Sequence, residues 1–103
     1  MKILPDYQGR QVRLTDERLR HVLEHAEMVN MEHALEETLR NPQLVIRSTA
    51  DATSNLNYRY YYGTVVGDKW LCVVVKYEQT DAFVLTAYLT DKPKKGEQLW
   101  PGK

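Results

Sequence analysis

The chain lacks the features that mark disulfide-bonded, secreted or membrane-spanning proteins. It contains one cysteine, Cys72, in 103 residues, so no disulfide can form within it. It has no run of about 18 apolar residues, which argues against a membrane-spanning helix. The first residues also lack the apolar stretch of a signal peptide. Since a disulfide-free chain suits a reducing compartment, we expect a cytoplasmic protein.

An excess of charge of either sign is also absent. The sequence has 14 basic and 14 acidic residues, so its formal net charge is zero. This balance argues against tight, nonspecific binding to nucleic acid by counterion release. The hydrophobic fraction of 43% and the charged fraction of 27% are ordinary for a globular protein. The length is that of one domain, and we predict that residues 1–103 form it.

Two amphipathic helices are predicted in the first half of the chain. Thr15 is a good N-cap for the first helix. The apolar positions of this helix recur at the spacing of one helical face: Leu19, Val22, Leu23 and Ala26. The second helix is predicted to run from near Asn30 to Arg40. It should end at Asn41-Pro42, because the residue before a proline is disfavoured in helical geometry.

In the second half the apolar period changes to two, which predicts strands. The predicted strands are residues 43–48, 58–64, 70–78 and 82–90, with a loop over 50–57 and a short additional strand at 10–14. The last two strands should pair antiparallel, because the linker at 79–81 has the length of a hairpin loop. We therefore predict an α+β domain with two N-terminal helices packed on one face of a four- to five-stranded antiparallel sheet.

Alternation along the last strand predicts which of its side chains face the helices. The predicted core set is Phe83, Leu85, Ala87 and Leu89. The opposite set is amphipathic, as expected of a face open to solvent or to a ligand: Val84, Thr86, Tyr88 and Thr90. The preceding strand is apolar on both faces and is therefore predicted to be central, with Lys76 as a polar exception at one end. In the tail, Leu99 and Trp100 are expected to fold back onto the body.

Arg18, His21 and His25 form the first candidate site. The two histidines are four residues apart, so they should share one face of the predicted helix. Residues 21–25 read His-Val-Leu-Glu-His, which matches the H-x-x-E-H signature of inverted zinc metalloproteases. A zinc site needs a third protein ligand, and no downstream acid is an obvious choice. Two solvated histidines, a catalytic or phosphate-contacting role without a metal, and a zinc site therefore all stay open.

A second candidate set combines cations and aromatic residues of the predicted strands: Arg47, Tyr58, Arg59, Tyr60, Tyr61, Lys76, Thr86 and Tyr88. Each tyrosine alone is most simply a packing residue with a polar tip. Together, such residues can bind phosphate oxygens and stack on a base. Cleavage of RNA by its own 2′-hydroxyl needs a base, an acid and cations for the charged phosphorane. Histidine, lysine, arginine and tyrosine can supply all three without a metal.

Several segments follow one another in the order of a known family: residues 14–18 with His21 and His25, then 35–42, 45–48, 58–61, 71–76 and 83–88. Over about residues 10–90 this order resembles the phage-associated branch of the barnase, EndoU, colicin and RelE-like nuclease superfamily. The resemblance implies N-terminal helices on a four-stranded antiparallel sheet and RNA cleavage without a metal. It implicates His21, Arg47, residues 58–61, Lys76 and Thr86. Residues 21–27 lack the arginine and the proline that related sequences carry after the first histidine.

The leading hypothesis is a metal-independent endoribonuclease-like domain, phage- or toxin-related, that cleaves RNA by 2′-hydroxyl attack and needs no cofactor. The predicted catalytic residues are His21, His25, Lys76 and Thr86, and the predicted substrate-binding residues are Arg47, Arg59, Tyr61 and Tyr88. The expected partners are RNA and an inhibitor or antitoxin protein, with no membrane. The alternative is a catalytically inactive module of the same fold that binds protein or nucleic acid. The zero net charge and the altered histidine segment favour this alternative.

Overall fold

A computed structural model describes residues 1–102 of the chain. In chain order its elements are β1 (Lys2–Pro5), β2 (Gln11–Leu14), α1 (Asp16–Leu23), α2 (Glu32–Arg40), β3 (Leu44–Arg47), β4 (Ser54–Thr64), β5 (Gly67–Glu78), β6 (Asp81–Thr90) and β7 (Gln98–Trp100). A short 3-10 helix, Ala26–Met28, separates the two α-helices. The predicted α+β class and the two predicted helices are confirmed.

The strands form one seven-stranded sheet in the order β1-β2-β6-β5-β4-β3-β7. Most neighbours are antiparallel, but β2 runs parallel to β6, with Arg13 opposite Phe83. The prediction of four to five antiparallel strands is therefore wrong in the number of strands and in one of their directions. β1 has four residues and β7 has three, and such short segments do not display a period of two.

β4 begins at Ser54, within the segment predicted as a loop. This segment is polar, and it contains two asparagines, a residue type that is disfavoured in strands. In the sheet, Asn55 lies opposite Val75 and Asn57 lies opposite Val73 of the central strand β5. Both asparagines are buried. Pairing with a long apolar strand thus outweighs the low strand propensity of asparagine.

The two helices pack on one face of the sheet. Val22 of α1 and Leu35 of α2 lie in the same buried cluster as Val73 of β5. α1 ends at Leu23, three residues before the predicted apolar position Ala26, and the following turn buries Met28 instead. Among residues 1–102, no helix combines the length and the apolar character that crossing a membrane requires.

A smaller core lies on the other face of the sheet: Ile46, Leu56, Tyr58 and Cys72. The tail after β6 crosses this face, and the backbone N–H of Lys94 donates a hydrogen bond to the Tyr58 hydroxyl at 3.0 Å. A Cβ on Gly96 would lie 2.6 Å from Cγ2 of Ile46 and 2.7 Å from the carbonyl oxygen of Arg47. Glycine is therefore required where the tail passes over β3.

The end of the tail returns to the body of the domain, as the sequence predicts. β7 pairs antiparallel with β3, with Trp100 opposite Val45. The Trp100 ring lies 5.8 Å, centroid to centroid, from the ring of Tyr7, which belongs to the turn between β1 and β2. The β1–β2 turn and β7 therefore meet through this aromatic pair.

A β-bulge changes the alternation of β6. Val74 of β5 lies opposite Thr86, but the next residue, Val75, lies opposite Val84. β6 therefore carries one extra residue at this point, which reverses the facing of its side chains. Ala87 belongs to the helix-side core as predicted. Val84 belongs to this core as well, so the predicted facing is wrong for the part of β6 that precedes the bulge.

Candidate active site

α1 carries Arg18 and His21 to a shallow cavity beside β6. The helix begins at Asp16 because the Thr15 hydroxyl oxygen accepts a hydrogen bond from the backbone N–H of Arg18 at 3.1 Å. Arg18 and His21 are three residues apart and therefore project from the same side of the helix. The buried Val22 fixes α1 on the sheet and also contributes to the floor of the cavity.

His25 reaches the same cavity from outside the helix. α1 stops at Leu23, and the His25 backbone is extended, with φ −72° and ψ 125°. The prediction that both histidines share a helical face is therefore wrong. The His25 carbonyl accepts a hydrogen bond from the backbone N–H of Met28 at 2.9 Å, and Met28 is fully buried. This anchored turn brings His25 to the cavity that His21 lines.

Thr86 forms the β6 side of the cavity. β2 pairs with β6 only at Arg13 and Phe83, and α1 contacts β6 farther along. Thr86 lies at the β-bulge and is exposed. Bulges commonly redirect a side chain at the edge of a sheet, next to an active site.

The resulting cavity has a volume of about 470 Å³ and is lined by the exposed polar side chains of Arg18, His21, Glu24, His25 and Thr86. Glu24 is the acid in this set, and its Oε2 lies 3.9 Å from Nδ1 of His21. Within the described residues, Arg18 takes part in no ion pair. The two imidazoles can therefore act as acid or base on a substrate in this cavity, and the guanidinium and the hydroxyl can donate hydrogen bonds to its phosphate group.

Lys76 lies outside this cavity, on the sheet face opposite the helices. Its Nζ is 2.6 Å from Oδ2 of Asp51. Asp51 also accepts hydrogen bonds from the hydroxyls of Thr53 and Ser54. The hydrogen bond from Lys76, followed by those from Thr53, holds the pKa of the Asp51 carboxyl well below its usual range. Lys76 is two residues from Val74, the strand partner of Thr86, but its charge is compensated by Asp51.

Arg59 and Tyr61 form a separate cluster with α2. Nε of Arg59 lies 3.5 Å from Oε1 of Glu37, and its Nη1 donates to the carbonyl oxygen of Asn41 at 2.8 Å. The Tyr61 hydroxyl donates to the same Glu37 oxygen at 2.6 Å. Burial, and then the hydrogen bond to Glu37, raises the pKa of Tyr61 to about 12. These contacts join β4 to α2.

Tyr88 lies beside Cys72, its strand partner, on the face that the tail crosses. Burial is the main cause that raises the pKa of Cys72 to about 11 and the pKa of Tyr88 above its ordinary value. Nζ of Lys94 lies 6.0 Å from the centroid of the Tyr88 ring. Tyr88 follows Thr86 by two residues, but neither its ring nor Lys94 lines the histidine cavity.

Arg47 lines a different cavity, of about 420 Å³, together with Tyr7, Arg10, Asn55 and Tyr77. Of the eight predicted site residues, the structure therefore brings together His21, His25 and Thr86. It places Lys76, Arg47, Arg59, Tyr61 and Tyr88 outside their cavity.

Arg10, Tyr77 and Asn55 were not predicted as site residues. One signal for the turn that carries Arg10 was present in the sequence, where Asp6 is followed by Gly9. Oδ1 of Asp6 accepts hydrogen bonds from the backbone N–H groups of Gln8 and Arg10, both at 2.9 Å. Gly9 has φ +83°, the left-handed conformation that glycine supplies in such turns.

Metal-binding capacity depends on how the donor side chains are grouped. Within residues 1–102, no three His, Cys, Asp or Glu side chains are arranged to hold a metal ion. His25 lies beyond the end of α1, so the H-x-x-E-H match does not place its two histidines one turn apart on a continuous helix.

No protein-family model matches this chain, and neither does any curated protein or solved structure. What the chain does is therefore inferred from the chemistry of its own residues.

Proposed function

We propose that this chain is a metal-independent endoribonuclease whose active site is the cavity between α1 and β6. The observation that carries the proposal is that His21, His25 and the unpaired Arg18 line one open cavity in the described part of the chain. Imidazole is the side chain whose ordinary pKa lies closest to neutral pH. One histidine can therefore act as a base while the other acts as an acid at the same pH.

The reaction divides the roles among these side chains. One imidazole removes the proton of a ribose 2′-hydroxyl, and the oxygen attacks the adjacent phosphorus. The other imidazole protonates the 5′-oxygen as its bond to phosphorus breaks. The products are a 2′,3′-cyclic phosphate and a 5′-hydroxyl. Arg18 donates hydrogen bonds to the nonbridging oxygens as negative charge builds on the phosphorane, and the Thr86 hydroxyl is a further donor.

In this proposal the RNA continues from Thr86 of the cavity along β6 to Tyr88, on the sheet face opposite the helices. Tyr88 offers a partly exposed ring, and Lys94 lies over it. Lys92, Lys94 and Lys95 take part in no ion pair among residues 1–102. Single-stranded RNA is bound by this combination of stacking rings and backbone-neutralising cations. Lys76 and Arg47 take no part in this proposal, because Lys76 lies on the opposite face of the sheet beside Asp51 and Arg47 lines a different cavity.

Cleavage of a fluorescently labelled single-stranded RNA in EDTA tests the proposal. The wild-type chain should cut the RNA, and the new ends should be 2′,3′-cyclic phosphates. His21→Ala and His25→Ala should each lower the rate by about a hundredfold or more, because each removes a general acid or base. An oligonucleotide of the same sequence with 2′-deoxyribose throughout should stay intact.

His33→Ala is the matched control. His33 is the third histidine of the chain, is exposed, and lines a different surface cavity on α2. Its removal should leave the rate unchanged. Equal cleavage by the wild-type, His21→Ala and His25→Ala proteins would place the activity elsewhere. Intact RNA after prolonged incubation with folded wild-type protein would rule out the enzyme.

A catalytically inactive binding module is the second candidate, and the end of the β4–β5 hairpin favours it. Tyr62 is 80% exposed and Val65 is 61% exposed at this end. The Tyr62 ring stacks edge-on against Tyr60 at 5.1 Å. Exposed apolar groups of this kind often mark interaction sites. Saturable binding of the labelled RNA without turnover, weakened by Tyr62→Ser, would select this function.

A further inference from the structure

The second cavity, which Arg47 lines, lies on the helix side of the sheet. Asn55 faces the same side as Val75, its strand partner, which belongs to the helix-side core. Arg47 lies opposite Asn55 and continues this row across the sheet. Tyr77 follows Val75 by two residues and packs against the same core. The β1–β2 turn contributes Arg10 to the wall of the cavity.

The guanidinium of Arg10 is fixed from two sides. Its Nε donates a hydrogen bond to Oδ2 of Asp6 at 2.9 Å, and its Cζ lies 4.0 Å from the centroid of the Tyr77 ring. The Asp6 side chain is 0% exposed and also accepts a hydrogen bond from the Tyr77 hydroxyl at 2.6 Å. No hydrogen bond within residues 1–102 uses the two terminal nitrogens of Arg10. These donors are therefore oriented but unoccupied.

Arg47 is oriented in the same manner. Its Nε donates to Oε1 of Glu97 at 3.0 Å, and its Nη1 donates to the carbonyl oxygen of Ala52 at 3.2 Å. Among the described residues no partner occupies Nη2. Arg47 thus presents a second guanidinium to the cavity that Arg10 lines.

Asn55 contributes a third polar side chain to the cavity. The residue is 7% exposed and lines the cavity, and its side chain makes no hydrogen bond to any residue between 1 and 102. In the described range only Oδ1 of Asn57 is a buried side-chain polar atom without a partner, so the Asn55 amide is in contact with the solvent of the cavity. This amide is therefore free to donate a hydrogen bond to a ligand there.

We propose that this cavity binds a terminal phosphate monoester, with Arg10, Arg47 and Asn55 as its donors. A phosphate group has several acceptor oxygens, and two guanidiniums held in fixed orientations match that geometry better than single point charges do. The volume of about 420 Å³ exceeds what a bare phosphate fills and accommodates a nucleotide-sized molecule. The half-buried Tyr7 ring lines the space beside the donors. This site is separate from the histidine cavity and does not depend on RNA cleavage.

Two-dimensional NMR of the isotope-labelled full chain tests the proposal with adenosine 5′-monophosphate as the probe. The Nε–H signals of Arg10 and Arg47 and the side-chain amide of Asn55 should shift and saturate. Adenosine, which lacks the phosphate, should cause no saturable shift. Absence of saturation with adenosine 5′-monophosphate, or equal shifts with adenosine, would overturn the proposal.

Variants locate the site and separate it from the proposed nuclease activity. Asn55→Ala and Arg47→Gln should each weaken binding by about tenfold, while the remaining spectrum shows a folded chain. Arg47→Gln changes a half-exposed side chain and keeps the test usable if Asn55→Ala does not fold. His21→Ala should bind the nucleotide with unchanged affinity. An unchanged affinity in both cavity variants, or a loss in His21→Ala alone, would contradict the assignment.

Oligoribonucleotides identify the source of the phosphate. A 5′-phosphorylated strand that binds more tightly than both adenosine 5′-monophosphate and the matching 5′-hydroxyl strand would show that the site holds an RNA end. Equal affinity for the free nucleotide and the phosphorylated strand would show that it holds the monoester alone. Both results support the proposal. Preference for the 5′-hydroxyl strand over the phosphorylated strand would refute it.

Discussion

Asp6→Ala is expected to cause a large loss of stability for a substitution in a turn. The Asp6 side chain is 0% exposed, and its carboxylate joins the β1–β2 turn to β5. It accepts hydrogen bonds from the backbone N–H groups of Gln8 and Arg10, from Nε of Arg10, and from the Tyr77 hydroxyl at 2.6 Å. Alanine removes every one of these acceptors.

The size of the loss follows from what each donor does afterwards. The Arg10 side chain is 44% exposed and can bind water instead, so losing its hydrogen bond contributes little to the loss of stability. The Tyr77 hydroxyl and the two turn N–H groups lose an acceptor that is itself fully buried, and a buried donor left unsatisfied costs about 1–3 kcal/mol. We expect the free energy of unfolding to fall by about 3 kcal/mol, the scale seen when one partner of a buried charged network is removed. For a domain of this size, such a loss of unfolding free energy lowers Tm by about 12 °C or more.

Urea denaturation followed by the fluorescence of Trp70 and Trp100 measures this loss. Asp16→Ala is the control, because its side chain is 86% exposed and its partner is the N-terminal amine. It should change the free energy of unfolding by no more than about 0.5 kcal/mol. A loss below about 1 kcal/mol in Asp6→Ala would show that water replaces the carboxylate in this turn, and that Asp6 does not fix Arg10.

Three further predictions concern other parts of the domain. Gly96→Ala should cost about 1–3 kcal/mol of unfolding free energy in the same urea assay, because its methyl group would overlap Ile46 and the β3 backbone; an unchanged midpoint would contradict the close passage of the tail. The stability advantage of the wild type over Asp51→Asn should be complete above about pH 4 and shrink as pH falls through the lowered pKa of Asp51 in the folded state. Urea midpoints at several pH values measure this difference, and one that grows on acidification would refute the Lys76 pairing. Cys72 should resist a thiol reagent at pH 8 until the protein unfolds, because burial raises its pKa to about 11; rapid labelling of the native chain would contradict this burial.

Local interactions made much of the fold predictable from sequence. The start of α1 depends on a hydrogen bond between Thr15 and Arg18, three residues apart, and its apolar face repeats every three or four residues. The central strand β5 is long and apolar on both faces, so its position needs no knowledge of its neighbours. The parallel contact of Arg13 with Phe83 joins residues 70 positions apart, and no local pattern encodes it.

Strand register explains why the candidate site was only partly predictable. Residues of adjacent strands that lie opposite each other share a face, so Arg47, Asn55 and Val75 face the helix side. Lys76 follows Val75 and therefore faces the other side. Arg47 and Lys76 cannot contribute to one site, although both residue types suit a phosphate. The bulge at Thr86 adds a reversal that regular alternation does not anticipate.

The two strands at the ends of the sheet have a consequence for association between copies of the chain. β1 has four residues and ends in Pro5, while β7 has three residues and is followed directly by Pro101. A short edge with a proline offers few free N–H groups, so another chain finds little backbone on which to extend the sheet. β4, β5 and β6, with 10 to 12 residues each, are sheltered between these ends. The two edge strands, β1 and β7, thus limit edge-to-edge aggregation.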